Sequence, residues 1–169
     1  CEWKWSRKSL VFNVVLISPE YPGNVGNIGR TCVLTESRLH LVRPFKFDFS
    51  DKALKKAGID YWDKLDLKIH DSLDEFLSYI EDKDFYLVET GSDTVYSDVD
   101  FKEGAYLIFG REKEGIDKSL LEKYKERIIT IPMTNKIHRS LNLANSVSIV
   151  VYEALRQNNF NMRWYICMI

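Results

Sequence analysis

One pattern limits the fold of this chain before any motif is weighed. Short runs of β-forming residues recur, and most gaps between them are long enough for a helix. Leu10–Ile17 (LVFNVVLI), Arg38–Val42, Phe85–Val88, Tyr106–Phe109 and Ile128–Ile131 read as strands, with a shorter one at Lys68–His70. A helix follows the Pro/Gly/Asn loop Ser18–Gly29 and runs through Thr35. Ser50–Gly58 reads as a helix with Ser50 as cap and Gly58 as stop. Ser72 and Glu75 form a capping box for a helix to about Ile80. Asp117–Tyr124 and Asn142–Arg156 complete the set. This alternation predicts an α/β fold: a mostly parallel sheet with helices on both faces.

Size and charge narrow the field. A chain of 169 residues suggests one domain, here 10–158. A domain of this size buries about 70% of the surface its unfolded form exposes, so it needs no staple. Residues 1–9 (two Trp, three basic residues, no periodicity) read as a disordered or foreign extension, and 159–169 as a tail. Lys and Arg number 24 against 25 Asp and Glu, so any nucleic-acid binding must come from a local patch. Cys1, Cys32 and Cys167 have no C-x-x-C spacing, which argues against zinc or a disulfide framework and for a reducing cytoplasm. No metal site is expected. No apolar run approaches the ~20 residues that span a bilayer, so no membrane partner is expected.

In a parallel sheet the ligand crevice lies beyond the carboxyl ends of the strands. Three unusual loops leave strands there. The first, Pro19-Glu20-Tyr21-Pro22-Gly23-Asn24-Val25-Gly26-Asn27-Ile28-Gly29-Arg30, is glycine-rich but lacks both G-x-G-x-x-G and G-K-[ST]. Its backbone N–H groups could approach an anion, Asn24 and Asn27 offer donors and acceptors, and Arg30 lies one helical turn beyond Asn27. A helix cap beside a surface arginine is the plainer reading. In the second, Phe109–Ile116, Gly110 could allow close approach of a flat ligand, and Glu112 could accept hydrogen bonds from a ligand or fix the loop. A polar turn is the plainer reading. In the third, Ile131–Ser146, Asn142, Asn145 and Ser146 open a helix beside Lys136, His138 and Arg139, an anion-friendly arrangement. A capped helix with a solvated basic loop is the alternative. Its apolar stripe is Leu143, Val147, Val150, Val151, Ala154 and Leu155.

Taken together, P-E-x-P-x-N-x-G-N-I-x-R, L-I-F-G-x-E-x-x-G and I-P-M…R-S-L-N-L-A-N-S-V-S-I-V-V-Y-E-A resemble the three motifs of the SPOUT superfamily of RNA methyltransferases. They are most similar to the small single-domain enzymes that 2′-O-methylate the wobble nucleoside of tRNA (cytidine or carboxymethylaminomethyluridine). The resemblance covers about Phe12 to Asn158. It implies a C-terminal deep trefoil knot, a homodimer, and S-adenosylmethionine as donor, leaving S-adenosylhomocysteine. By resemblance, Val88, Gly110, Ile131, Met133, Ser140 and Leu141 bind the donor. Arg30, Asn24, Ser140 and Asn142 form the catalytic group. Arg30, Glu112, Arg139, Asn145 and Tyr152 meet the tRNA. Gly23 stands where close relatives have a second Pro, and Asn135–His138 departs from the usual short polar stretch.

Charge for RNA would come from Lys52, Lys55, Lys56, Arg111, Lys113, Lys136 and Arg139, with the acidic stretch Asp71–Glu103 facing away. Within the same family, another tRNA position or an rRNA target is the nearest rival. A Rossmann-type nucleotide module with Asp48 as the ribose acid is a rival of another class. Its glycine spacing is wrong, and it leaves Ile131–Asn145 unexplained. An RNA-binding protein without catalysis is a third; Arg30, Gly110, Ser140 and Asn142 speak against it.

Overall fold

The computed structural model describes residues 2–4, 12–56, 59–162 and 164–166. The strands are β1 (Glu2–Lys4), β2 (Asn13–Ile17), β3 (Arg38–Val42), β4 (Leu67–His70), β5 (Phe85–Val88), β6 (Tyr106–Phe109), β7 (Ile128–Ile129) and β8 (Trp164–Ile166). The α-helices are α1 (Pro22–Leu34), α2 (Asp51–Lys56), α3 (Leu73–Ile80), α4 (Lys118–Lys123) and α5 (Leu143–Gln157).

Six strands form one parallel sheet in the order β4-β3-β2-β6-β5-β7. Central β2 and β6 are buried throughout, which is why their sequences are continuous apolar runs rather than alternating ones. Alternate strand residues feed two cores. Val14, Leu16, Leu39, Leu41, Leu107 and Phe109 pack with Val25, Ile28 and Cys32 of α1 and Val147, Val150 and Val151 of α5. Val15, Ile17, Ile108, Phe85 and Leu87 pack with Phe76 and Ile80 of α3 and Leu120 of α4. The predicted parallel sheet with helices on both faces is therefore present. Cys32 is wholly buried, and burial pushes its thiol up to about 12, so it serves as a small core residue.

The structure differs from the sequence reading in three places. Helix α1 begins at Pro22, inside the stretch read as a loop. Proline suits a first helical position because its missing N–H would have no partner there. The glycines that suggested a loop instead give room to neighbours: a Cβ on Gly29 would stand 3.1 Å from Trp62. Strand β7 stops at Ile129, two residues short of the expected end. Near the chain ends, β1 and β8 pair antiparallel, where no element was expected. Capping follows the sequence more closely. Ser72 Oγ accepts from Glu75 N (3.1 Å), Ser50 Oγ from Ala53 N (3.3 Å), and Asn142 Oδ1 from Ala144 N (2.9 Å). The expected stop at Gly58 lies outside the described residues.

Candidate active site

The three unusual loops meet at one edge of the sheet, and a chain of hydrogen bonds ties them. Glu112, beyond β6, accepts from the backbone N–H of Glu20 (2.8 Å) and Tyr21 (3.1 Å) and from the Asn24 amide (3.1 Å). Asn24 Oδ1 in turn accepts from the Asn142 side-chain amide (3.0 Å). Asn142 Oδ1 accepts from Ala144 N and Asn145 N (3.3 Å), capping α5. A return strap runs from Lys113 N to the Glu20 carboxylate (3.1 Å). The first loop does receive an anion, as its free N–H groups suggested, but the anion is the chain's own Glu112. Charge-assisted bonds of this kind are roughly twice as strong as neutral ones. Glu112 was expected either to meet substrate or to fix the loops; both of its oxygens are bonded to the 20–24 turn.

The second loop has no room for side chains at its two glycines. A Cβ on Gly110 would lie 2.2 Å from the Gly115 carbonyl carbon. Gly115 has φ +68°, and a Cβ there would lie 2.3 Å from the Glu89 carboxylate. The space a Cβ would need at Gly110 is thus taken by the chain itself, while Gly110 also borders the cavity beneath the loops. Arg111 pairs with Glu114 (3.2 Å) and Asp117, which staples this loop.

Beneath these loops lies a cavity of about 270 Å3. All six residues expected at the donor site, Val88, Gly110, Ile131, Met133, Ser140 and Leu141, line it. They come from the end of β5, the end of β6 and the segment before α5, as a crevice at the carboxyl ends of parallel strands requires. Its walls are apolar at Val88, Phe109, Ile131 and Leu143, with hydroxyls at Thr90, Ser140 and Ser146. That mixture suits a nucleoside: a flat base against apolar walls and a sugar against polar groups.

Arg30 does not line this cavity. It stands with Asn27, its expected neighbour one turn away, on the wall of a second cavity of about 530 Å3. Its guanidinium lies 5.2 Å from the centre of the Tyr61 ring, and Tyr61 donates its hydroxyl hydrogen to the Gly26 carbonyl. Arg139, Asn145 and Tyr152 are exposed and line neither cavity. Lys52, Lys56 and Lys136 are exposed; the side chain of Lys55 is not among the described ones. Asp48, the ribose acid of the Rossmann reading, instead accepts from Ser50 N and Ser50 Oγ (both 2.8 Å), forming the turn before α2.

The resemblance places the end of Phe85–Thr90 at the donor site without singling out Glu89. Glu89 lies in the acidic stretch expected to face away, yet it lines the first cavity and accepts from Ile116 N (2.9 Å) and Thr90 N (2.9 Å). Its position directly after a strand, opposite a glycine-bounded loop, was the available signal. Also missed was a buried polar row. His40 Nδ1 lies 3.0 Å from His70 Nε2, and His40 Nε2 lies 3.0 Å from Asn13 Oδ1. Both histidines are completely buried.

A parallel α/β domain with a nucleoside-sized cavity at the carboxyl ends of its strands, framed by three tied loops, has the architecture of a nucleotide-binding protein. The chain belongs to the SpoU rRNA Methylase family, whose model matches residues 11–152. A Listeria monocytogenes relative, named "Putative tRNA (cytidine(34)-2′-O)-methyltransferase", is 48% identical over 88% of this chain and 89% of its own. A solved structure from Bacillus anthracis, called a "putative RNA methyltransferase", superposes with a TM-score of 0.84 at 40% identity, over 88% of this chain and 95% of that one. Another, described for the 2-OH methylation of C/U34 on tRNA, gives a TM-score of 0.82 at 36% identity, over 90% and 99% of the two chains. Family membership retires the Rossmann reading.

Proposed function

We propose that this protein transfers a methyl group from S-adenosylmethionine to the ribose 2′-oxygen of the wobble nucleotide, cytidine or a modified uridine, of tRNA, with S-adenosylhomocysteine leaving and the hydroxyl proton released to solvent. The observation that carries the reading is the convergence of Val88, Gly110, Ile131, Met133, Ser140 and Leu141 on one cavity. The names of the Listeria relative and of the C/U34 structural neighbour supply the position. In this reading the segment Ile131–Leu141 belongs to a deep trefoil knot. Two copies form a homodimer through the first loop and α5, where Tyr21 and Tyr152 are exposed. The setting is cytoplasmic.

S-adenosylmethionine, when bound, supplies a methyl group already activated on a sulfonium. Val88, Ile131 and Leu141 provide apolar walls for its base, and Ser140 a hydroxyl for its polar parts. Asn24, Asn142 and Glu112 keep the three loops in register. Holding reactants in line supplies about 7–11 kcal/mol of a bimolecular barrier. Arg30 orients the 2′-oxygen and offsets the charge developing on it. It is not the base, because a guanidinium stays protonated in proteins. Arg139, Asn145 and Tyr152 meet the RNA from the exposed side.

Incubation with labelled S-adenosylmethionine and total tRNA, followed by nucleoside mass spectrometry, tests the reading. One 2′-O-methylated wobble nucleoside is expected. Label in rRNA or at another tRNA position would move the target. No label in any RNA would end the proposal.

A further inference from the structure

The second cavity has a construction that the donor site does not explain. It is bounded on one side by α1 at Gly23 and Arg30, and on the other by Phe47, Phe49, Tyr61 and Trp62. The sequence Pro44-Phe45-Lys46-Phe47-Asp48-Phe49 alternates aromatic and charged residues, so its rings share one side. They form a continuous array. Phe45 and Phe47 stack at 5.1 Å, Phe47 and Phe49 meet edge to face at 5.4 Å, and Phe49 stacks on Trp62 at 5.0 Å. Arg43 sits 4.8 Å from the Phe45 centroid at one end, and Arg30 lies over Tyr61. The three Phe rings and Trp62 are only half-buried. Hydrophobic packing alone does not call for a cation at the end of such an array and a second one over the Tyr61 ring on the same cavity wall.

Aromatic faces with flanking arginines are the physical means by which proteins hold unstacked nucleobases. The location fits that use. Glu112 walls the first cavity and binds the 20–24 turn, while Pro22 and Gly23 of the same turn wall the second. The two cavities are therefore neighbours across one turn, with Arg30 on the far one. We propose that the second cavity receives the base of the nucleotide whose ribose is methylated, stacking it against Phe47 and Tyr61. This rests on the function proposed above and adds to it the place where the target base is held. A volume of about 530 Å3 exceeds a bare pyrimidine, leaving space for a base that carries a substituent.

Gly23 offers a test that spares the fold. It lies on the cavity wall, and a Cβ there meets no atom within 4 Å. Gly23→Leu should raise the KM for an anticodon stem-loop RNA at least tenfold. Its S-adenosylhomocysteine affinity should stay within twofold of wild type, and its elution as a dimer on size exclusion should be unchanged, which separates a filled cavity from a lost subunit contact. Phe47→Leu, which keeps apolar volume but removes a π-face, should raise the same KM by at least about fivefold, the low end for one stacked base. In wild-type protein held with S-adenosylhomocysteine, 4-thiouridine at the target position should photocrosslink within residues 45–62. Unchanged KM in both variants, or a crosslink mapping elsewhere, would overturn the inference while leaving the methyltransferase reading intact. If wild type methylates no RNA, both fall together.

Discussion

The chain contains two rows of polar side chains that link distant segments, and they work in opposite ways. The row Glu112–Asn24–Asn142 lies at the rim of the donor cavity, and Asn142 is exposed. The row Asn13–His40–His70 is buried under α3, at the other side of the sheet. Proton positions in the buried row follow from its ends. The Asn13 amide donates to the Gly104 carbonyl (3.0 Å), so its oxygen faces His40 and must accept from His40 Nε2. His40 Nδ1 is then the acceptor for His70 Nε2–H. His40 is thus a neutral imidazole, and His70 Nδ1, with no hydrogen-bond partner among the described residues, lies 3.7 Å from the Glu75 carboxylate. The rim row holds loops in position for chemistry. The buried row fills a polar gap between strands, and its contribution is to stability.

The comparison predicts a double dissociation, and the largest effect belongs to the site. Arg30→Ala should lower kcat by about 10²–10³-fold, the usual cost of one charge-stabilising donor, with S-adenosylhomocysteine affinity within a few-fold. Steady-state kinetics and calorimetry measure both, and normal turnover would remove Arg30 from its role. Next comes the buried row. His40→Leu strands the Asn13 oxygen and the His70 N–H, each costing about 1–3 kcal/mol, so the urea midpoint should fall sharply. The fraction that remains folded should turn over normally. A kcat loss with unchanged stability would reverse the assignment of the two rows.

Asn142→Ala should act in the opposite sense. It removes the bond to Asn24 and the α5 cap, so stability should fall by only about 1 kcal/mol while kcat falls about tenfold or more. Thermal unfolding and kinetics on the same sample separate the two effects. Close to neutrality the smallest effect is one of pH, and it grows as the solution is acidified. Burial first, then the charges of His70, Arg38 and Lys68, hold His40 down to about 3 from an ordinary 6.5, and burial lowers His70 as well. Below pH 6.5 the unfolded chain binds protons that the folded chain refuses. Stability from this row is therefore fully present above about pH 6.5 and is lost as pH falls toward about 3. Urea midpoints across that window should show the slope in wild type and a shallower one in His40→Leu.

How much was legible in the sequence depended on the range of the interaction. Strands β3, β5 and β6 were readable to the residue because β-branched and aromatic side chains in short runs suit a buried parallel strand. The start of α1 was not, because local propensity counts Gly23, Gly26 and Gly29 against a helix. Only the distant Ile59, Tyr61 and Trp62 show why small residues suit positions 26 and 29. The six donor-site residues came from the resemblance, since nothing local in Val88 or Ile131 signals a ligand. The role of Glu112 was open, because its partners Glu20 and Tyr21 lie 92 and 91 residues away. Glu89 was misread for a related reason. Charge composition over Asp71–Glu103 describes the stretch, while the strand that carries Glu89 decides where that one carboxylate points.

A crystal structure with S-adenosylhomocysteine bound tests the account at its centre. The account predicts adenosine density between Val88, Gly110, Ile131 and Leu141, with the Glu112–Asn24–Asn142 bonds kept and Arg30 on the second cavity. Ligand density elsewhere, or a bound form in which those three side chains have separated, would contradict it.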